Sequence, residues 1–320
     1  MNGCAPVVIF AYKRLQHIQN LLKSLEVCRG AERTTVFIFC DAPVPDEPAQ
    51  KVNEVRGFLR RYADEQTAFQ RVAVYEAQEH KGLAKSVIDG VTQIIEKYKR
   101  VIVLEDDLIV SPEFLVFMNE ALKYYQNDKR IWEVAGFTEK YDSLVKYPYD
   151  VYFSKRAESW SWGTWINRWK AADWELRDRF FFRMNPFIKK SFNEGGSFLS
   201  DLLIDQLKGR VDSWAVRWCY AQFKYHAYTV HPKKSYVLNN GFGEGATHTT
   251  SPCNVLLGEL TTTLEDQFID LYLDQDLLRD IRGTYQPKNF HDRMLEMKSD
   301  LYDKLFSQDR KNSGRIKADR

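Results

Sequence analysis

Five short apolar runs recur through the first 137 residues: PVVIFAY at 6–12, TVFIFCD at 35–41, RVAVYEA at 71–77, RVIVL at 100–104 and IWEVAGF at 131–137. Runs this short and this continuous suit strands that are buried on both faces. Between them the apolar spacing changes to the helical period. Leu15, Ile18, Leu22 and Leu25 line one helical face, and Leu83, Val87, Val91, Ile94 and Ile95 line another. A further helix is expected over 45–62, with Asp46 as its cap and Pro48 in its first turn. Ser111, Pro112 and Glu113 open one more: a hydroxyl to cap, a ring suited to the first turn, and a carboxylate facing the positive end of the helix dipole. Strands and helices alternating at this spacing predict an α/β fold, a mostly parallel central sheet flanked by helices.

In such a sheet, ligands bind where the strands end. Lys13 and Arg14 follow the first run, Asp41 ends the second, His80, Lys81 and Gly82 follow the third, and Glu105, Asp106 and Asp107 follow the fourth. Polar residues often begin loops, so no single one of these decides anything. Three consecutive acids do more, because no cation stands beside them in the sequence. Holding them together on a rigid strand end is costly unless a cation compensates. Hard oxygen donors suit Mg²⁺ or Mn²⁺. Continued strand alternation would turn Glu105 and Asp107 one way and Asp106 the other. That plan suits a metal-bound diphosphate in front and a hydroxyl-bearing group behind.

Charge and cysteine usage narrow the classes. A net charge of +2 gives no electrostatic case for a nucleic-acid partner. The five cysteines are scattered, odd in number and without a C-x-x-C pair, which fits free thiols in a reducing compartment. APVVIFAY is too short for a membrane span or a secretory signal. The expected location is therefore the cytoplasm, with the inner face of the membrane as a further option taken up below.

The segment VIVLEDDLIVSPEFLVFMNEAL resembles the acidic motif of GT-A glycosyltransferases, in the Glu-Asp-Asp form of the N-acetylglucosaminyltransferase I type. The opening PVVIFAYKRLQHIQNLLKSL looks like the start of the same sugar transferases. Residues 211–249 are similar to their distal half, where an Asp-bearing helix leads through a strand to a Gly-rich loop ending in Thr-His. The resemblance covers roughly residues 6–250. It implies a GT-A fold and a metal-dependent, inverting transfer of a hexosyl or N-acetylhexosaminyl group. The donor would be a UDP- or GDP-sugar and the acceptor a hydroxyl on a glycan, lipid-linked or protein-linked molecule, in surface glycan or polysaccharide synthesis. Asp107 would hold the metal that bridges the donor diphosphate, Asp106 the ribose hydroxyls and Glu105 the donor sugar. Asp41 would sit at the nucleoside, and Tyr12 and Arg14 would line the nucleotide pocket. Lys81 and Lys85 stand where they would reach a diphosphate, or they belong to a solvated loop and helix face. The donor-binding half would run to about residue 137 and the acceptor-side half over 138–285; beyond it, helical apolar spacing from Phe290 and the basic run at the end predict a C-terminal helix with a basic tail over 286–320.

Specificity should reside in the middle of the chain, where residues 156–174 carry five of the eight tryptophans. Trp162, Trp165 and Trp169 follow helical spacing, which favours packing, whereas Trp160 beside Glu158 reads as a loop residue near the acceptor. The loop NNGFGEGATHT is not a phosphate-binding turn, since no strand-to-helix context surrounds it, but it suits closure over a bound donor. His248 within it either reaches the metal or diphosphate or is merely exposed. For the base that deprotonates the acceptor, Asp212 matches the family's position. It also opens a helix, where an Asp is commonly an N-cap; Asp205 and Glu158 are the reserves. The tail after about Pro287 reads first as a helix packed on its own domain, and otherwise as a peripheral contact with anionic membrane. Two rival functions stay open. A sugar-1-phosphate nucleotidylyltransferase would need glycine in its first loop, and AYKRLQH has none. Against a non-catalytic sugar- or protein-binding module on the same fold stand the intact acids Glu105, Asp106, Asp107 and Asp212.

Overall fold

The computed structural model describes residues 3–45, 47–241, 260–264 and 267–284. Asp46, His248 and the segment 286–320, including its expected helix, lie outside the described residues. The first half follows the strand–helix reading: β1 (Val7–Ala11), α1 (Leu15–Glu26), β2 (Thr35–Cys40), α2 (Gln50–Glu65), β3 (Arg71–Glu76), α3 (Leu83–Tyr98) and β4 (Arg100–Glu105). Next come β5 (Leu108–Val110), α4 (Phe114–Tyr124), β6 (Ile131–Ala135), β7 (Val151–Ser154) and β8 (Ser161–Trp165). Short helices α5 (Ile166–Trp169), α6 (Arg179–Met184) and α7 (Pro186–Phe192) lead to α8 (Leu199–Leu207) and α9 (Trp214–Lys224). The chain then forms β9 (Tyr228–Pro232), β10 (Val237–Asn239) and α10 (Gln275–Thr284).

The eight-stranded sheet has the order β3-β2-β1-β4-β8-β6-β9-β7. Pairings of β3 with β2, β2 with β1, β1 with β4 and β6 with β9 are parallel. Strands β8 and β7 run against the others. This is the α/β architecture expected, a mostly parallel sheet flanked by helices. Its strands bury both faces, as continuous apolar runs require. Val7, Ile9 and Ala11 pack toward α1, α2 and α4, while Val8 and Phe10 pack toward α3 and α9.

Three local expectations need correction. Helix α2 starts at Gln50 with Ala49 at its cap, so Pro48 stands before the helix and not in its first turn. Helix α4 starts at Phe114, and the Ser111 hydroxyl accepts the Glu113 amide at 3.1 Å, capping the turn that leads in. The tryptophan segment is the larger miss. Trp162 and Trp165 lie on β8, in mid-sheet, and not on a helix. Strand alternation sends Trp162 into one core and Trp165 into the other, and Gly163 between them lies so close to β4 that a Cβ would come 3.0 Å from the Val101 carbonyl.

Candidate active site

Because six strands share one direction, the ends of β1, β2, β3 and β4 open on the same edge. Strand β4 stops at Glu105, and Asp106 and Asp107 form the turn into β5. The strand alternation expected to separate Asp106 from Asp107 therefore does not reach them. Both turn to one guanidinium: Arg14 donates Nη1 to Asp107 Oδ2 at 2.9 Å and Nη2 to Asp106 Oδ1. Arg14 follows β1, which neighbours β4 in the sheet, so the cation missing from the local sequence arrives from more than ninety residues away. A forked donor spanning two carboxylates is the geometry guanidinium provides and ammonium does not.

The clamp leaves acid capacity over. Asp106 and Asp107 are both buried, and Asp107 Oδ1 has no hydrogen-bond partner. A buried carboxylate oxygen is costly to leave unpaired, so the arrangement suits a ligand that brings positive charge or a donor. Glu105 keeps partial solvent contact and pairs with no cation among the described residues. Burial, with Asp107 and Asp106 beside it, pushes its pKa up to about 8. Burial also raises Asp106, to about 6, against the pull of Arg14.

The far wall comes from β10, which pairs antiparallel with β5. Asn240 donates its amide to the Asp107 carbonyl at 2.7 Å. A Cβ on Gly241 would collide with Asp107 Oδ2 and come 2.8 Å from its Cγ. The first glycine of the Gly-rich loop thus lets that strand end lie against the last acid of the motif.

The neighbouring expected residues are already engaged. Asp41 accepts the amides of Ala42, Lys81 and Gly82 at 2.8–2.9 Å and faces His80 Nδ1 at 3.0 Å, so it holds the loop after β3 in place. Tyr12 stacks obliquely on His80, with ring centroids 5.7 Å apart, and its hydroxyl accepts the Val44 amide at 3.3 Å. Lys81 and Lys85 pair with Asp89 at 2.9 and 3.1 Å, which is the solvated-face arrangement. Beside Asp41 and Lys81, a cavity of about 210 Å³ lies between β2, β3 and α3, with Phe39, Tyr75 and Gly90 in its lining.

Further along the edge, Glu158 Oε1 accepts the amides of Ser159 and Trp160 at 2.8 and 3.1 Å, and burial raises the Glu158 pKa. Trp160 packs on Phe137, centroids 4.4 Å apart. Behind them lies an acid that the sequence reading did not single out. Glu133 is fully buried on β6 and accepts the Glu158 amide at 2.6 Å, Trp218 Nε1 at 2.5 Å and the Thr229 hydroxyl at 3.1 Å. The available signal was an acid inside the apolar run IWEVAGF.

Asp212 precedes α9, but Ser213 is the cap: its side chain accepts the Val216 amide at 3.3 Å. Asp212 is largely exposed and paired with Arg217. Helix α9 turns back into β9 within a few residues, so its first turn lies toward the edge where β9 ends. Asp205 pairs with Arg210 at 3.1 Å.

Among the described residues no group of three or more His, Cys, Asp or Glu side chains is gathered around one point. Asp107, with an orphaned oxygen and hard donor character, fits the role of ligand to a divalent ion at this edge. Of the thiols, Cys28, Cys40 and Cys219 are buried and free, and burial pushes them up to about 12, 11 and 11, so they are not nucleophiles. No helix of the described residues is long and apolar enough to cross a membrane.

No family model and no curated protein matches the chain. Solved structures do. One is the mannosyltransferase PcManGT from Pyrobaculum calidifontis in complex with GDP-Man and Mn²⁺, at 13% identity and TM-score 0.40, covering 53% of this chain and 46% of that one. Residues 1–349 of S. aureus TarS in complex with UDP match at 16% identity and TM-score 0.30, over 41% of this chain and 34% of that one. A second S. aureus TarS structure matches at 11% identity and TM-score 0.41, over 73% of this chain and 36% of that one. The chain thus spans less than half the length of each of these three structures.

Proposed function

We propose that this chain is a nucleotide-sugar glycosyltransferase of GT-A fold, with the donor diphosphate bound at the Arg14–Asp106–Asp107 edge. The observation that carries the reading is the buried carboxylate pair on one guanidinium, with Asp107 Oδ1 left open. Such a site binds a cation or a hydroxyl-bearing ligand better than it binds nothing.

In this reading Asp107 would hold Mn²⁺ or Mg²⁺, and Arg14 adds a fixed positive charge on the diphosphate side. A bound ion would supply positive charge against the departing diphosphate. Asp106 accepts from ribose hydroxyls. Glu105 faces the donor sugar. Tyr12 and the Asp41–His80 loop border the nucleoside, with Asp41 acting through the backbone it holds. Lys85 enters only if its pairing with Asp89 opens. His248, outside the described residues, is a second candidate at the metal.

The acceptor side is the loop of Glu158 and Trp160. Asp212 is the base: its carboxylate takes the acceptor hydroxyl's proton as that oxygen attacks the anomeric carbon, so transfer inverts configuration. With Ser213 providing the cap, Asp212 is not needed to start α9. The preferred acceptor class is a glycan, lipid-linked or protein-linked hydroxyl, in surface polysaccharide synthesis.

The test is calorimetry with UDP, GDP and their sugars, with and without Mn²⁺, followed by assay of donor hydrolysis and transfer. Binding of a nucleotide diphosphate that requires Asp107 supports the reading. No binding of any nucleotide diphosphate by the intact chain, with or without Mn²⁺, ends it.

A further inference from the structure

Helix α6 contains three consecutive phenylalanines, and only one of them faces inward. Phe182 is fully buried and meets Tyr220 and Phe192 edge-on, with centroids 5.2 and 5.8 Å apart. Phe192, at the end of α7, closes the same anchor. Four other large apolar side chains of the hairpin stay outside this anchor. Phe180, Phe181, Met184 and Phe187 are 68%, 71%, 68% and 81% exposed. Single exposed apolar side chains are ordinary, whereas four large ones on one short hairpin are not. Its shape is set locally: the Asn185 side chain accepts the amides of Phe187 and Ile188 at 2.9 and 3.2 Å, and Pro186 takes the first position of α7.

The charge around the patch has one sign. Residues 177–190 carry Arg177, Arg179, Arg183, Lys189 and Lys190 against the single acid Asp178, in a chain whose net charge is only +2. Asp178 turns toward the body, accepting from the Tyr220 hydroxyl and pairing with Lys224, both at 3.1 Å. Arg177 is held by Asp173 at 3.1 Å. The other four cations have no carboxylate partner among the described residues.

We infer that the α6–α7 hairpin is a peripheral anchor for an anionic bilayer surface. The aromatic and methionine side chains enter the boundary between headgroups and acyl chains, and the surrounding cations pair with lipid phosphates. Charge complementarity selects this occupant over a second copy of the chain, since a two-fold contact through the patch would press like charges together. The anchor is short-coupled to the rest of the molecule. Just past α7, Gly195 lies against Lys155 so closely that a Cβ would come 2.5 Å from the Lys155 carbonyl, and Arg156 sits over the Phe198 ring at 5.2 Å. A membrane held at the hairpin therefore lies one tightly packed loop from Glu158. The inference stands whether or not the chain transfers sugars.

The test is co-flotation of the full chain with phosphatidylcholine vesicles and with vesicles rich in phosphatidylglycerol, at low and high salt. Two variants accompany it: Phe181→Ser with Phe187→Ser, and Arg179→Glu with Arg183→Glu. All four side chains are exposed, and unchanged melting temperatures certify the fold. The expected result is salt-sensitive binding to the anionic vesicles alone. The aromatic variant should bind at least about tenfold more weakly, and the charge variant at least about fivefold more weakly per reversed residue. Absence of binding by the intact chain overturns the inference, as does equal binding to neutral vesicles. So does binding that both variants retain, or a dimer seen by light scattering that the aromatic variant abolishes while no vesicle is bound.

Discussion

Asp107, in the turn after β4, and Glu133, on β6, are both buried acids, and they are solvated by the protein in opposite ways. Glu133 receives donors from three separate elements: the Glu158 amide, Trp218 on α9 and Thr229 on β9. Asp107 receives one arm of Arg14 and leaves its second oxygen bare. The saturated acid ties elements together; the unsaturated one keeps an oxygen free, which is what the proposed donor site rests on. Burial alone would rank Glu133 first, so spare acceptor capacity, more than burial, singles out the proposed site.

The sharpest way to break this comparison is Asp107→Asn. Asn keeps an acceptor for Arg14 but cannot hold a divalent cation with comparable strength. Transfer or donor hydrolysis should fall by about 10³ or more while the melting temperature moves little. A variant with near-normal turnover would mean that the bare oxygen is an unused defect. Next in size is Asp212→Asn. Ser213 caps α9, and a largely exposed pair with Arg217 contributes at most about 1 kcal/mol, so the fold should be indifferent. Transfer at saturating substrates should drop by about 10², and a loss under about tenfold would move the base elsewhere.

The fold was legible in the sequence where both faces of a strand are buried. β1, β2, β3 and β4 announce themselves as apolar runs, and α1 and α3 as helical stripes between them. β8 did not, because SWGTW mixes small polar residues with tryptophans whose spacing also fits a helix, and its strand character depends on pairing with β4. The acids of the site were legible as a local cluster. Their counter-ion was not, because Arg14 is adjacent to them only through the sheet. Asp41 read as a ligand contact, yet its partners Lys81 and Gly82 lie a full strand–helix unit away and consume its oxygens.

A smaller effect should follow from Gly241→Ala. The added Cβ would meet the Asp107 carboxylate and come 3.0 Å from Asn239 Oδ1, so either the acid or the loop must move. Nothing comparable lies at the Glu133 end of the comparison. Transfer should fall about tenfold through misplacement of Asp107, with KM for the donor rising more than the acceptor's. Unchanged donor KM would show that the loop yields and the acid does not.

The last effect is a slope. Burial pushes the Glu133 pKa up to about 8 from its ordinary 4.5, outweighing the donors that favour its ionised form. The network accommodates the proton: a protonated Oε1 can donate to the Thr229 hydroxyl, which passes its own hydrogen to Gln222 Oε1 at 3.2 Å. Between 4.5 and 8 the folded chain therefore holds a proton that the unfolded chain has released, and stability falls as pH rises. The slope is at most about 1.4 kcal/mol per pH unit for this one group. His231, pushed down to about 4 by burial, has the opposite sign, but its contribution is complete above 6.5. Glu105 shares the window and the sign, so only a difference isolates Glu133. Gln at 133 cannot titrate, and its amide must face one of the donors from Glu158 or Trp218, which costs on the order of 1 kcal/mol. Urea unfolding of wild type and Glu133→Gln between pH 6.5 and 8 should accordingly show the wild type losing stability relative to the variant, since Glu105 titrates in both and Glu133 in the wild type alone. A gap that stays constant would mean that Glu133 is ionised throughout. Its three donors would then outweigh burial, and the contrast with Asp107 would be one of partners alone.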